Sequence, residues 1–255
     1  MNSRVVKCLY VILFIAIGVL SCTNESEDRS LTVDEYIKSG LPDPRKKWNI
    51  TDYSEARNVL TKMKWLKPFD LPVKGSEKSG AVFDHMLSYD YLSFLKDSTI
   101  LLNEKAGRIS EFRRVSDFWM DVYSNPTIPV DYYQRERLHI RMFNLKVAEA
   151  MLNVAREINR SDDPADIALQ YGYQGIKRNY LASLDSTLKA HHAPKFPGGD
   201  LDTIADSIFN SVMRNKKWMD TSEVRELKQS LNLVIERTSS EYVREKYRTL
   251  ERSIN

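Results

Sequence analysis

Residues 131–159 constrain this chain more than any other stretch. Leu138, Met142, Leu145, Ala148, Leu152 and Ala155 recur at spacings of three and four, and so do Ile140, Phe143, Val147, Met151, Val154 and Ile158. Those spacings follow the 3.6-residue turn of an α-helix, so each set draws one apolar stripe along it. A helix at the surface of a domain needs only one such stripe. Two stripes require cover on two sides, which predicts a central helix with other helices packed against both faces.

The rest of the chain is also helical in pattern. Thr32 to Glu35 and Asp52 to Glu55 each set a capping residue three positions before a Glu, the reciprocal arrangement that satisfies free amides at a helix start. The first predicts a short helix ending near Gly40, and the second a helix reaching about Lys64. Apolar residues from Ala81 to about Lys96 and from Ser98 to Tyr123 predict two more, with Gly107 marking a kink in the latter. Ser161-Asp162-Asp163-Pro164 opens a helix expected to reach about Ala190. After the HHAPKFPGGD linker, Asp200 or Asp202 caps another, and Asp220-Thr221-Ser222-Glu223 opens a last, highly charged helix to about Ser253. No stretch carries the alternation and turn dipeptides of a β-hairpin. The Lys-Lys-Trp followed by Ser-Glu-x-Arg at 46–57 and again at 216–225 is a coincidence of helix-start patterns, since nothing else aligns. The predicted fold class is all-α, a bundle of about six to eight helices around the central one near 131–159.

The chain begins differently. Arg4 and Lys7 precede Cys8 to Leu20, CLYVILFIAIGVL, an apolar run of 13 residues. That is short of the roughly 20 residues a membrane-spanning helix needs. A basic start, a short apolar core and a small residue near its end describe a secretory signal peptide. Val19-Leu20-Ser21-Cys22 resembles a lipobox, at which bacteria acylate a cysteine and cleave before it. The resemblance makes Cys22 the lipid attachment residue, with Leu20 departing from the small residue usual there. The TNESEDRS segment after it reads as a polar tether, and its acidic cluster resembles the signal by which Bacteroidota-type bacteria export lipoproteins to the cell surface. The expected organisation is a signal peptide over 1–21, a lipidated tether over 22–31 and a single all-helical domain over 32–255. The chain has two cysteines, Cys8 and Cys22. Loss of residues 1–21 would leave Cys22 alone, with no internal disulfide to form.

Charge narrows the partners. The sequence holds 38 Lys+Arg and 35 Asp+Glu; removing Arg4 and Lys7 with the signal leaves 36 against 35, a formal charge of +1. A near-neutral exported chain argues against nucleic-acid binding.

Candidate chemistry is sparse. Glu136-x-x-His139 has the spacing of a di-iron ligand pair, but no second such pair exists and Arg135, Arg137 and Arg141 crowd the same turns. A solvent-facing ion-pair patch is the better expectation, and no metal site is assigned. His191 and His192 read as residues of a solvated linker after a helix C-terminus. Ser186-x-x-Lys189 lacks the companion motifs and the sheet that the penicillin-binding enzymes require. No catalytic residue and no cofactor is assigned, and the chain reads as a binder in preference to an enzyme.

Tyrosines are the remaining signal. Of 13 in the chain, Tyr132, Tyr133, Tyr171 and Tyr173 come as close pairs and are the candidates for contact with a ligand or partner, since a tyrosine offers a flat face and a hydroxyl. Gly172 and Gly175 beside the second pair suggest close packing. The leading expectation is a non-enzymatic lipoprotein of the bacterial outer membrane, periplasmic or surface-exposed, that binds another envelope protein. The alternative is a module for a glycan or small nutrient, with those tyrosines lining its groove.

Overall fold

The computed structural model describes residues 49–63, 71, 73–74, 89–129, 132–160, 172–192 and 198–254. The expected helix at 32–40 and the tether with Cys22 lie outside the described residues. Among the described residues there are seven α-helices and no strand: α1 (Ile50–Met63), α2 (Leu102–Tyr123), α3 (Gln134–Ile158), α4 (Tyr173–Lys189), α5 (Gly198–Asn215), α6 (Thr221–Arg237) and α7 (Glu241–Ser253). Short 3-10 turns occupy Tyr89–Lys96, Ala190–His192 and Lys216–Trp218.

The central helix is α3, and its two stripes divide two cores. Ile140, Phe143, Val147, Val154 and Ile158 face a core shared with α1, α2 and the Tyr89–Lys96 turn. Leu138, Met142, Leu145, Ala148 and Leu152 face a core shared with α4, α5, α6 and α7. Each fully buried aliphatic or aromatic side chain stabilises by about 1.5–3 kcal/mol relative to exposure, so both faces are firmly held.

Paired side chains give the helix directions. The Tyr123 backbone carbonyl accepts from Arg137, and Ser116 bonds Asn144; as one position falls the other rises, so α2 and α3 are antiparallel. Arg135–Asp200 and Arg214–Glu149 share a separation of 65 residues, so α3 and α5 run parallel and in constant register. Ser240–Asp202 and Lys216–Ser253, at separations of 38 and 37, set α5 parallel to α7. Asn232–Glu251 and Arg244–Thr238 turn α7 back along α6.

Several helix ends depart from the sequence expectations. Asn49 caps α1: its side chain accepts from the Asp52 amide at 3.0 Å while Asp52 accepts from the Asn49 amide at 2.6 Å. Asp52 is therefore the acidic partner inside the first turn and not the cap. The single helix expected over 220–253 is two. Thr238 is extended, and the Ser240 side chain accepts from the Val243 amide at 3.3 Å to start α7. The Thr-Ser-Ser-Glu run supplies a stop and a new cap at once. α2 starts at Leu102, beyond the expected Ser98, because Asp97 caps a turn at Thr99. Of the helix expected over 81–96, residues 81–88 lie outside the described residues and the remainder is a 3-10 turn. α4 begins at Tyr173, after a turn at Gly172; of the helix expected from Ser161, residues 161–171 lie outside the described residues. The start at Asp220 is as expected: its side chain accepts from the Glu223 amide and its amide donates back to Glu223, a complete capping box.

Candidate functional site

Of the four sequence-predicted tyrosines, the three that are described, Tyr132, Tyr133 and Tyr173, are not gathered in one place. Tyr133 is buried in the first core at the start of α3, with its ring edge-on to Tyr123 at 5.2 Å. Its φ of 54° is left-handed, a strained conformation for a side-chain-bearing residue that packing on Tyr123 and Tyr132 holds in place. Tyr132 is exposed beside it. Tyr173 packs on the second core at the start of α4. The Tyr180 hydroxyl meets Ser211 at 3.0 Å, level with the Glu149 region of α3, so α4 runs back along α3 and Tyr173 lies near that helix's far end. At ~1.5 Å per residue, roughly 30 Å of helix separates Tyr133 from Tyr173. Tyr171 lies outside the described residues. Pairing in sequence says nothing about which end of an antiparallel bundle a residue occupies.

Other sequence candidates also change character. Glu136 is buried, not solvent-facing, and accepts the Lys74 backbone amide at 2.5 Å. His139, Arg135 and Asp200 line a small cavity of about 60 Å³ beside it, closed by the Arg135–Asp200 ion pair at 2.9 Å. Among the described residues no group of three or more His, Cys, Asp or Glu gathers in a metal-binding arrangement. His191 is not a solvated linker residue: it is buried, with Nε2 2.7 Å from the Tyr247 hydroxyl, because the 3-10 turn after α4 carries it onto α7. At Gly175 an added Cβ would meet nothing within 4 Å, so close packing does not explain that glycine.

A groove of about 400 Å³ lies between α4 and α6. These helices run parallel, tied by Lys177–Glu223 at 2.7 Å near their starts and by Ser230 donating to Asp185 at 3.1 Å midway. They lie side by side because α5, running the other way, returns the chain between them. Leu181, Leu184 and Leu188 on α4 and Leu227 on α6 form an apolar floor, with Leu233 at the edge 45% exposed. Asp185, Lys189, Glu223 and Glu226 stand around it. Lys189 pairs with Asp185 at 2.6 Å, which leaves Glu226 without an ion pair among the described residues.

The groove presents an apolar floor with charged and hydroxyl groups around it. Its one hydroxyl–carboxylate contact, Ser230–Asp185, has no histidine in the groove lining to act as a base. At the start of α6, the Glu223 amide holds the Asp220 carboxyl below its ordinary range, as suits a helix cap. Sequence reasoning missed the groove. Leu181, Leu184 and Leu188 carry a helical spacing, but a stripe alone does not reveal that its partner lies some 45 residues away in a parallel helix.

No family model, no curated protein and no solved structure matches the chain. No described helix is long and apolar enough to cross a membrane.

Proposed function

We propose that the protein is a non-enzymatic cell-envelope lipoprotein, held at a bacterial outer membrane by acyl chains on Cys22, that binds another envelope protein through the groove between α4 and α6. The occupant is an amphipathic helix of that partner with basic residues beside its apolar stripe. The observation that carries this reading is the leucine floor with Glu226 at its border, which has no ion pair among the described residues, while Asp185 and Glu223 are held by Lys189 and Lys177. A helix laid in such a groove buries residues at spacings of three and four while its flanking cations meet the rim. The membrane part rests on the lipobox-like Val19-Leu20-Ser21-Cys22 segment.

The test is a photo-crosslinking residue placed at Leu233, with Leu101, which is 67% exposed on the other core's side, as control. Capture of one envelope protein from Leu233 but not Leu101, lost on Glu226→Lys, supports the groove. Equal capture from both positions, or none from either, contradicts it. Separately, Cys22→Ala is expected to release the protein into the soluble fraction, and retention of that variant in the membrane would contradict the anchor.

A further inference from the structure

Trp218 lies in the 3-10 turn after α5, partly buried, where the C-terminal end of α3 meets it. Three cations surround its ring: the Arg156 guanidinium at 4.8 Å from the centroid, Arg160 at 5.0 Å and the Lys217 ammonium at 5.2 Å. Three charges each that close to a common point lie within roughly 10 Å of one another, inside one Debye length at moderate salt. Arg214 and Lys216 stand on the neighbouring positions of the same chain segment.

Among the described residues, few anions answer them. Glu149 is engaged by Arg214 and Asn215. Arg156 donates to the neutral Asn153 and Asn215 side chains. Glu157, adjacent in sequence, forms no ion pair among the described residues. Arg160 and Lys217 are exposed, lie against the indole and, among the described residues, form no side-chain hydrogen bond or ion pair.

Helix C-termini attract cations, which explains why charge gathers here. It does not use what the stacking leaves over. A guanidinium held over an indole keeps the N–H groups in its own plane free to donate. Arg160 and Lys217 together offer more donors than the two oxygens of one carboxylate readily accept, whereas a phosphate brings three oxygens and up to two negative charges.

We propose that Arg156, Arg160 and Lys217 around Trp218 form a binding site for a phosphate group. The site lies apart from the α4–α6 groove and stands or falls independently of the partner-binding reading. The phosphate is either a free one or the headgroup of a lipid, and the experiment separates the two.

The full chain in a non-ionic, phosphate-free detergent is titrated with inorganic phosphate, read by phosphorus NMR. In parallel, micelles of the same detergent are doped with phosphatidic acid and compared with undoped ones. The Arg160→Gln/Lys217→Gln double variant is carried throughout, with circular dichroism confirming its fold, which both exposed positions should preserve. Saturable binding of inorganic phosphate identifies a free phosphate. Binding of doped micelles without binding of inorganic phosphate identifies a lipid headgroup. Either supports the site if the double variant weakens binding at least about tenfold. Binding of neither probe, or equal binding by the double variant, overturns it.

Discussion

The two cores on either side of α3 are built from different chemistry. The first is aromatic: Tyr53, Phe94, Phe112, Trp119, Tyr123, Tyr133 and Phe143 interlock, with Phe112 edge-on to both Tyr53 at 5.2 Å and Phe143 at 5.0 Å. The second is aliphatic, and a polar network threads it. Glu149 takes both arms of Arg214 at 2.7 and 2.9 Å and the Asn215 amide at 3.0 Å; Asn215 also donates to the Ser211 carbonyl, and Ser211 meets Tyr180. Burial pushes the Tyr180 hydroxyl up to about 12, so it stays protonated and able to donate. The difference teaches how one helix serves two neighbours. Large flat rings fill the first space by shape, and the polar atoms there ride on the rings themselves, as the Tyr53, Tyr123 and Tyr133 hydroxyls and the Trp119 indole N–H. The second space holds four further helices, and directional bonds set the constant register of α5 along α3.

The sharpest way to break this comparison lies on α3 itself, at two buried residues two positions apart. Phe143→Ala should lower stability by about 3–5 kcal/mol through the first core, and Leu145→Ala by about 2–5 kcal/mol through the second. Denaturant unfolding followed by circular dichroism checks both. A loss under about 1 kcal/mol for either would show that its face is not packed as described. Next comes the network. Glu149→Ala leaves Arg214 with water and costs Asn215 a partner in a buried setting, for an expected loss of about 1–3 kcal/mol. The same measurement reads it, and no loss would mean that packing alone sets the α3–α5 register.

Acid should act on the second region in particular. Hydrogen bonds from Lys246 and Tyr242 hold the Asp206 carboxyl below its ordinary range, and its carboxylate raises Lys246 in return. A lowered folded value contributes stability at pH above the unfolded carboxylate value of about 4, and that contribution is lost as pH falls below it. Asp206→Asn should therefore lower the melting temperature slightly at neutral pH and flatten its decline below about pH 4. An unchanged acid decline would contradict the coupling between α5 and α7. The smallest effect is a gain. An added Cβ meets nothing at Gly107 in α2 or at Gly175 in α4, so each Gly→Ala change should stabilise by up to about 1 kcal/mol. Gly107 sits deeper inside its helix than Gly175, in the first turn of α4, and should give the larger rise in melting temperature.

How far the fold was legible follows from what each signal depends on. The stripes of α3 depend on local spacing, and both are found facing the cores they require. The Asp220 cap depends on four consecutive residues and is formed as read. The break at Thr238–Ser240 was also local, but three small polar residues inside a charged stretch were masked by the apolar stripe that Val243, Tyr247 and Leu250 continue into the second core. The start of α1 was misplaced because Asn49 and Asp52 satisfy each other's amides, which competes directly with the later Asp52–Glu55 pairing. Burial of Glu136 and His191 was not legible, since each is covered by a segment distant in sequence: Lys74 in one case and Tyr247 in the other. The groove is the same kind of feature, the product of two parallel helices brought together by a third.

Native-state hydrogen exchange resolved along the chain tests most directly whether α3 is the shared wall of both cores. The expected result is that α3 amides are among the slowest to exchange, and that Phe143→Ala and Leu145→Ala each accelerate them, with α2 following in the first case and α4–α5 in the second. If Phe143→Ala loosens α1 and α2 while α3 keeps its full protection, then α3 belongs to the second core alone, and the two-faced account of this bundle is wrong.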